Sequence, residues 1–574
     1  MATSKPVDIR IWAEGGQKTD PGNSKYAQGW VVEIPTLQNM NFIQNQITQM
    51  MKHINEQGIV QWDNLTNYPI GAIAKGSNNI AYKALNANVA DDPVTSANWE
   101  IFGASSGDFT QRVRVDANYE VGPTGDFASI TEAIEKLSIG HPEYLIGGIH
   151  ARLQLQPGFV IAEEIHVDGV DLSWIIIDSG QGDTPYVVQS SAIVTDFAAG
   201  QSCAFGARNN GTLPSMDFFA KFDVPNSGIT KNGMLITTGG RVAGWRIGFE
   251  DAGNAGISVH LNGAVHAHQD IRVSGAQIHG LHVTTGGSVS GLTNLYADNC
   301  KKFGIEAVQG GHIHIIESIT AQNAVDSGAK AWEGGFITTK NIIVNGSSSI
   351  GANAAVGGEI VAVEAIEASN CVWGISAFSG SVHADSIVAN DCLNTGLLCN
   401  GANGGIFANL DMTALRCGVK GIDILRLGSM SAGGDIDVSF SGSVGIEVDS
   451  GGTIAANNIT ADNANLDGVT CNGSGSAVNA ISNLFTRSCT QYGVVCNNSS
   501  GTSAETMTAT SCGQGGIVSF GGHISAVSMF SRRGASDGSN DTVVGIGGMV
   551  VRQSSVGGTS QSTGVFNSSG YINI

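Results

Sequence analysis

A chain of 574 residues has room for several domains, but only 13% of it is Asp, Glu, Lys or Arg. With 49 acidic residues against 28 basic ones, the net charge of −21 excludes the Lys/Arg-rich surface that nucleic acid requires and disfavours anionic membranes. No run of ~20 apolar residues and no basic-then-apolar leader occurs, so the sequence predicts a protein made and kept soluble in a cytosol, without membrane insertion. Glycine, with 79 residues, stands at about twice its usual ~7% share, which suits a fold built from small residues packed close together.

Residues 1–107 differ in texture from the rest. The segment from Leu37 to Glu56 lacks Gly and Pro, and Met40, Ile43, Ile47, Met50 and Ile54 follow 3-4-3-4 spacing. That is a helical heptad seam over residues 37–56, too short to stand alone. Several copies of the chain would bury it, and Ile at such positions leans toward a homotrimer. Residues 59–103 form a small aromatic β module in which Trp62-Asp63, Tyr68-Pro69-Ile70-Gly71, Tyr82-Lys83-Ala84, Pro93 and Trp99 follow in order. This order resembles the type 3 chitin-binding fold, which implies aromatic stacking on sugars. The plainer reading makes Trp62, Tyr82 and Trp99 the core of an adaptor.

The opening as a whole runs from Ile11-Trp12-Ala13-Glu14-Gly15 through Gln28-Gly29-Trp30 to Trp99. It resembles the N-terminal segment of bacteriophage tail fibres and tailspikes. The resemblance implies attachment of a trimer to tail or baseplate proteins, and residence in the virion tail.

Residues 108–232 read as a capping helix and irregular early turns. Ser129 and Glu132 form a capping box, and Ile130, Ala133, Ile134 and Leu137 make one apolar helical face. The run Gly125-Asp126-Phe127-x-x-Ile130-x-x-Ala133-Ile134 resembles the entry to pectate-lyase-like β-helices.

From Gly233 to beyond Gly516 a glycine recurs every 22–25 residues, about thirteen times. One residue after it comes Ile or another small apolar residue (Ile257, Leu281, Ile305, Ile422, Ile446), and two further on another (Val259, Val283, Ala307, Ile424, Val448). Period-two alternation marks a half-buried strand, and a fixed period near two dozen marks stacked turns. The expected fold is mostly β: a right-handed parallel β-helix over 233–540, with a small α+β attachment region and a C-terminal closure or trimerisation segment at 541–574. The repeat places the ten cysteines in buried columns as small hydrophobes, with stacked Cβ vectors poorly set for disulfides.

No nucleophile elbow, zincin motif or phosphate loop appears. Chemistry must come from side chains stacked on successive turns. The second residue after each glycine reads outward as Ser258, His282, Glu306, Lys330, Asn353, Ser376, Leu398, Asp423, Glu447 and Thr470. Asp423 and Glu447, with Asp449 beside them, are the candidate catalytic carboxylates, since neighbouring carboxylates push one pKa up; the same strip also reads as a solvated acidic face. His282, Glu306, Lys330, Trp332 and Phe378 are the candidate carbohydrate-binding residues, or else a surface charge ladder beside two aromatics. His266, His268, His312 and His314 fall on non-adjacent turns, so no metal site and no cofactor is expected. Together with the resemblances, these readings imply a tail fibre or tailspike that binds host polysaccharide. An active depolymerase (glycosidase or lyase), a purely structural fibre and a cellular pectate-lyase-like enzyme stand as alternatives.

Overall fold

The computed structural model describes residues 11–30, 34–57, 59, 61–78, 80–89, 91–102, 117–139, 150–224 and 230–533, with short strands at 542–544, 549–552, 565–566 and 571–573. Two compact units result: Met1–Arg114 with Lys136–Ile146, and Val115–Glu135 with Gly147–Ile574.

In the first unit, helix Leu37–Gln57 leaves Met40, Ile47 and Met50 of the heptad seam exposed. Ile54 lies among the residues whose side chains are not described. The aromatic module is a small antiparallel sheet, Ile73–Lys75, Ala81–Ala84 and Trp99–Ile101. Tyr68, Tyr82 and Trp99 are buried with Ala74 and Ala84, and Trp62 packs against them. The aromatics here serve as core, with Tyr68 and Trp99 in edge-to-face contact at 5.0 Å.

The second unit is a parallel β-solenoid of about 16 turns. Each turn gives one strand to a first sheet, as in Phe303–Val308 and Lys420–Leu425. It gives two short strands, or one longer bulged strand, to a second sheet. Neighbouring turns pair in parallel with the register the glycine period implies: Leu281 on Ile305, Ile422 on Ile446, Val469 on Val494. The inward columns from Ile257 to Ile517 are solvent-free. All ten cysteines are buried and free.

The stack begins earlier than the glycine period. Ala117–Val121 pairs with Ala151–Leu155, and that strand with Ile175–Ser179, so these are true turns with irregular loops. Helix Ile130–Ile139 buries Ile130 and Ala133 completely. Ser129 Oγ accepts from the Glu132 N–H at 3.1 Å, as the capping box requires. Glu163 adds a second cap unseen in the sequence, accepting from the Ile130 and Thr131 N–H groups at 2.8 Å each. Much of 541–574 lies outside the described residues; the short strands there continue the parallel ladders, Val543 on Val565 and Met549 on Tyr571.

Two kinds of glycine hold the turns. At corners such as Gly310 and Gly357, φ of 73° and 75° favours glycine, although Asn262 and Leu427 hold the same corner position at φ of 62° and 66°. The periodic glycine has a different reason. A Cβ on Gly280 would sit 2.5 Å from the Gly304 carbonyl oxygen, one on Gly304 2.5 Å from that of Gly328, and one on Gly374 2.5 Å from that of Gly396. Each glycine thus makes room for the next turn's backbone. Gly374→Ala should therefore destabilise the fold by about 1–3 kcal/mol or more, as overpacking does, read as a lowered denaturation midpoint. An unchanged midpoint would show that the turns are not packed so closely.

Candidate functional site

The periodic glycine kinks each strand of the first sheet, and three columns face away from the core. One holds the residue just before the glycine: His279, Phe303, Ser327, Ile350, Trp373, Thr395, Lys420. The second holds the residue two after it, in continuous register from Ser258 through His282, Glu306, Lys330, Asn353, Ser376, Leu398, Asp423 and Glu447 to Thr470. The third lies two residues on and includes Trp332, Phe378, Asn400, Asp449 and Asn472.

The middle column points outward but is not open. Glu306 is 5% exposed and Asp423 8%, whereas Trp332 in the third column is 37% exposed. Bulky neighbours on both sides wall the middle column in, so its polar groups must find partners along the solenoid axis.

Glu306 is the centre of the first cluster. Its Oε1 lies 2.9 Å from Lys330 Nζ; its Oε2 lies 3.1 Å from His279 Nδ1 and 3.8 Å from His282 Nε2. The ammonium of Lys330 also sits 4.4 Å from the ring centroids of both Phe303 and Trp332. The rings of His279 and His282 stack at 4.4 Å, and His260 meets His282 edge-on at 5.2 Å. Burial opposes the charge of Glu306, but His279 and Lys330 outweigh it and hold the carboxyl at about 2. Burial, reinforced by His279 and His260, pushes His282 down to about 3. The structure thus brings His282, Glu306, Lys330 and Trp332 together, while Phe378 stands two turns away.

Lys420 organises the second cluster. Its Nζ lies 2.9 Å from Asp423 Oδ2 and 2.7 Å from Glu447 Oε2, joining the two carboxylates. Burial raises the Asp423 pKa against the pull of Lys420, with Glu447 and Asp449 adding repulsion. Asp467, held by the Thr470 hydroxyl at 3.2 Å and the Tyr492 N–H at 3.1 Å, is also raised by burial. Asp423 Oδ1 has no hydrogen-bond partner, and neither do Asn353 Oδ1 and Ser376 Oγ in the same column.

His279, Lys420 and Asp467 were not anticipated from the sequence. All three immediately precede a periodic glycine, and reading that position as a ladder of its own would have found them. The surface histidines behave as expected: His266 and His314 are two turns apart, with Ser290 between them. No family model matches the chain, and no curated protein matches it at a significant level.

The depressed pKa values fix the acid response. His282 is uncharged in the fold, so below its ordinary 6.5 the unfolded chain gains a proton the folded one refuses. That contribution is complete above about 6.5 and drains away toward about 3; Glu306 adds a loss from about 4.5 toward about 2. Melting temperature should fall from near pH 6.5 downward, and in His282→Gln the fall should be shallower, with burial of His260 and His266 sustaining the rest. An identical profile in the variant would place the titration elsewhere.

Proposed function

We propose that this protein is a bacteriophage tail fibre or tailspike, acting as a trimer in the virion tail, whose solenoid binds a host cell-surface polysaccharide. The observation that carries the binding role is the open third column of the first sheet, beside the walled one. There the ring of Trp332, 37% exposed, and that of Phe378, half-exposed, stand two turns apart along the solenoid. Rings offer apolar faces to sugars. A linear glycan also suits a site whose elements repeat at ~4.8 Å along a stiff axis. His282, Glu306 and Lys330 are engaged with one another, so in this reading they orient Trp332 rather than touch sugar. The tail assignment rests on the N-terminal resemblance, and the exposed Met40, Ile47 and Met50 are consistent with helices shared between chains.

A depolymerase is the second reading, favoured by the Asp423–Lys420–Glu447 arrangement. Asp423, with its raised pKa, suits a general acid, and Glu447 a nucleophile or base. Carboxylates joined by one ammonium suit the ~5 Å separation of a retaining glycosidase rather than the ~6.5–9.5 Å of an inverting one. Asp449 sits beside them and Asp467 follows on the next turn.

Host polysaccharide incubated with the purified chain tests both. Trp332→Ala and Phe378→Ala should each weaken binding about tenfold or more, as loss of an aromatic anchor does. If the chain cleaves, Asp423→Asn with Glu447→Gln should abolish new reducing ends while binding persists. Full binding without both aromatics would refute the sugar-facing assignment, and cleavage surviving the carboxylate changes would refute the catalytic one.

A further inference from the structure

The His279–His282–Glu306 cluster has features that neither sugar binding nor a surface charge ladder explains. Among the described residues it is the one group of three or more His, Cys, Asp or Glu side chains whose ligand atoms all lie within 4.8 Å of one another. His279 Nδ1 is buried 3.1 Å from Glu306 Oε2, yet makes no hydrogen bond. The two atoms are close enough for one cation to contact both. We infer that His279, His282 and Glu306 bind a divalent transition-metal ion of the zinc class.

The chemistry of the donor set narrows the metal. Two imidazoles and one carboxylate suit Zn²⁺ and its first-row neighbours and disfavour Ca²⁺ and Mg²⁺, which take oxygen ligands. Tetrahedral bonds of ~2.0–2.2 Å place ligand atoms ~3.3–3.5 Å apart. The 3.1 Å and 3.8 Å separations from Glu306 Oε2 bracket that spacing, and the His279 and His282 rings, stacked at 4.4 Å, must turn out of parallel for both nitrogens to face one ion. Lys330 holds Oε1 at 2.9 Å, which leaves Oε2 as the coordinating atom and fixes the carboxylate plane from the outer shell. The Lys330 ammonium opposes the cation, but the rings of Phe303 and Trp332 hold it to their side. Three protein ligands leave a fourth position for water or a ligand oxygen. A cleft of about 550 Å³ lies on the far side of His260, whose ring abuts His282; the three ligands themselves do not line it.

The site spans two turns, with His279 and His282 on one strand and Glu306 directly over His282 on the next. A bound ion therefore cross-links adjacent turns.

The test uses the full, tag-free chain, stripped with chelator and titrated with Zn²⁺ against a chromophoric competitor, then with Co²⁺. The expected result is one tight equivalent per chain and the intense visible absorption of low-coordinate Co²⁺. His279→Gln and His282→Gln should each weaken Zn²⁺ by at least about 100-fold, the upper end of what even an outer-shell change costs. The double variant His312→Gln, His314→Gln, altering exposed histidines on the other sheet, should bind as the parent does. The inference is overturned if the unaltered chain takes up no stoichiometric Zn²⁺, if Co²⁺ shows only the weak spectrum of the hydrated ion, if binding survives His282→Gln, or if it is lost in the surface double variant. The first two outcomes need no variant, so misfolding of a substituted chain leaves the test decisive.

Discussion

Close approach of one backbone turn to the next is the constraint on which this structure depends. From Gly233 to Gly493 the periodic glycines leave no room for a Cβ: it would lie 2.5–2.9 Å from the carbonyl oxygen of the following turn's glycine, or at Gly328 against Val344 and the Ala321 carbonyl. The requirement is mutual along the column, so turns lock at one register rather than sliding. Register decides everything in a sheet, since a slip of one residue moves each side chain to the other face. With the glycines aligned, Ile305, Ile422 and Ile446 fall inside and Glu306, Asp423 and Glu447 fall outside.

The same kink produces the clusters. On an unkinked strand the residue before the glycine and the second residue after it would face opposite ways. Here both face outward, and the residue before the glycine folds beside the middle column. His279 meets Glu306, and Lys420 meets Asp423 and Glu447, for that reason. Walled in on both sides, the middle column places charge where water is scarce, and buried charge persists only when paired. Two ion clusters separated by Asn353, Ser376 and Leu398 are the outcome. The first leaves His279 Nδ1 without a hydrogen bond, and the second Asp423 Oδ1.

Much of this was legible in the sequence, because a solenoid turns sequence period into spatial neighbourhood. Spacings of 24 residues from His282 to Glu306 to Lys330, and from Asp423 to Glu447, become contacts between adjacent strands. Burial of the outward column was not legible, since period-two alternation assigns faces and carries nothing about how neighbouring columns shade one another. His279, Lys420 and Asp467 escaped because a straight strand puts the residue before the glycine on a different face from its actual one. The early turns were legible only as irregular ones, because Ala117–Val121 and Ala151–Leu155 lack the periodic glycine. Tyr82 and Trp99 read more plainly as core than as sugar platforms, and their burial agrees.

A side-chain-resolved density map of the purified chain is the most direct test of the account. The expected map places Asp423 and Glu447 on adjacent turns ~4.8 Å apart, with Lys420 between their carboxylates and the Gly374 and Gly396 backbones in contact. A map in which those turns are offset by one residue, or are separated by a helix, would contradict the shared register and the clusters that follow from it.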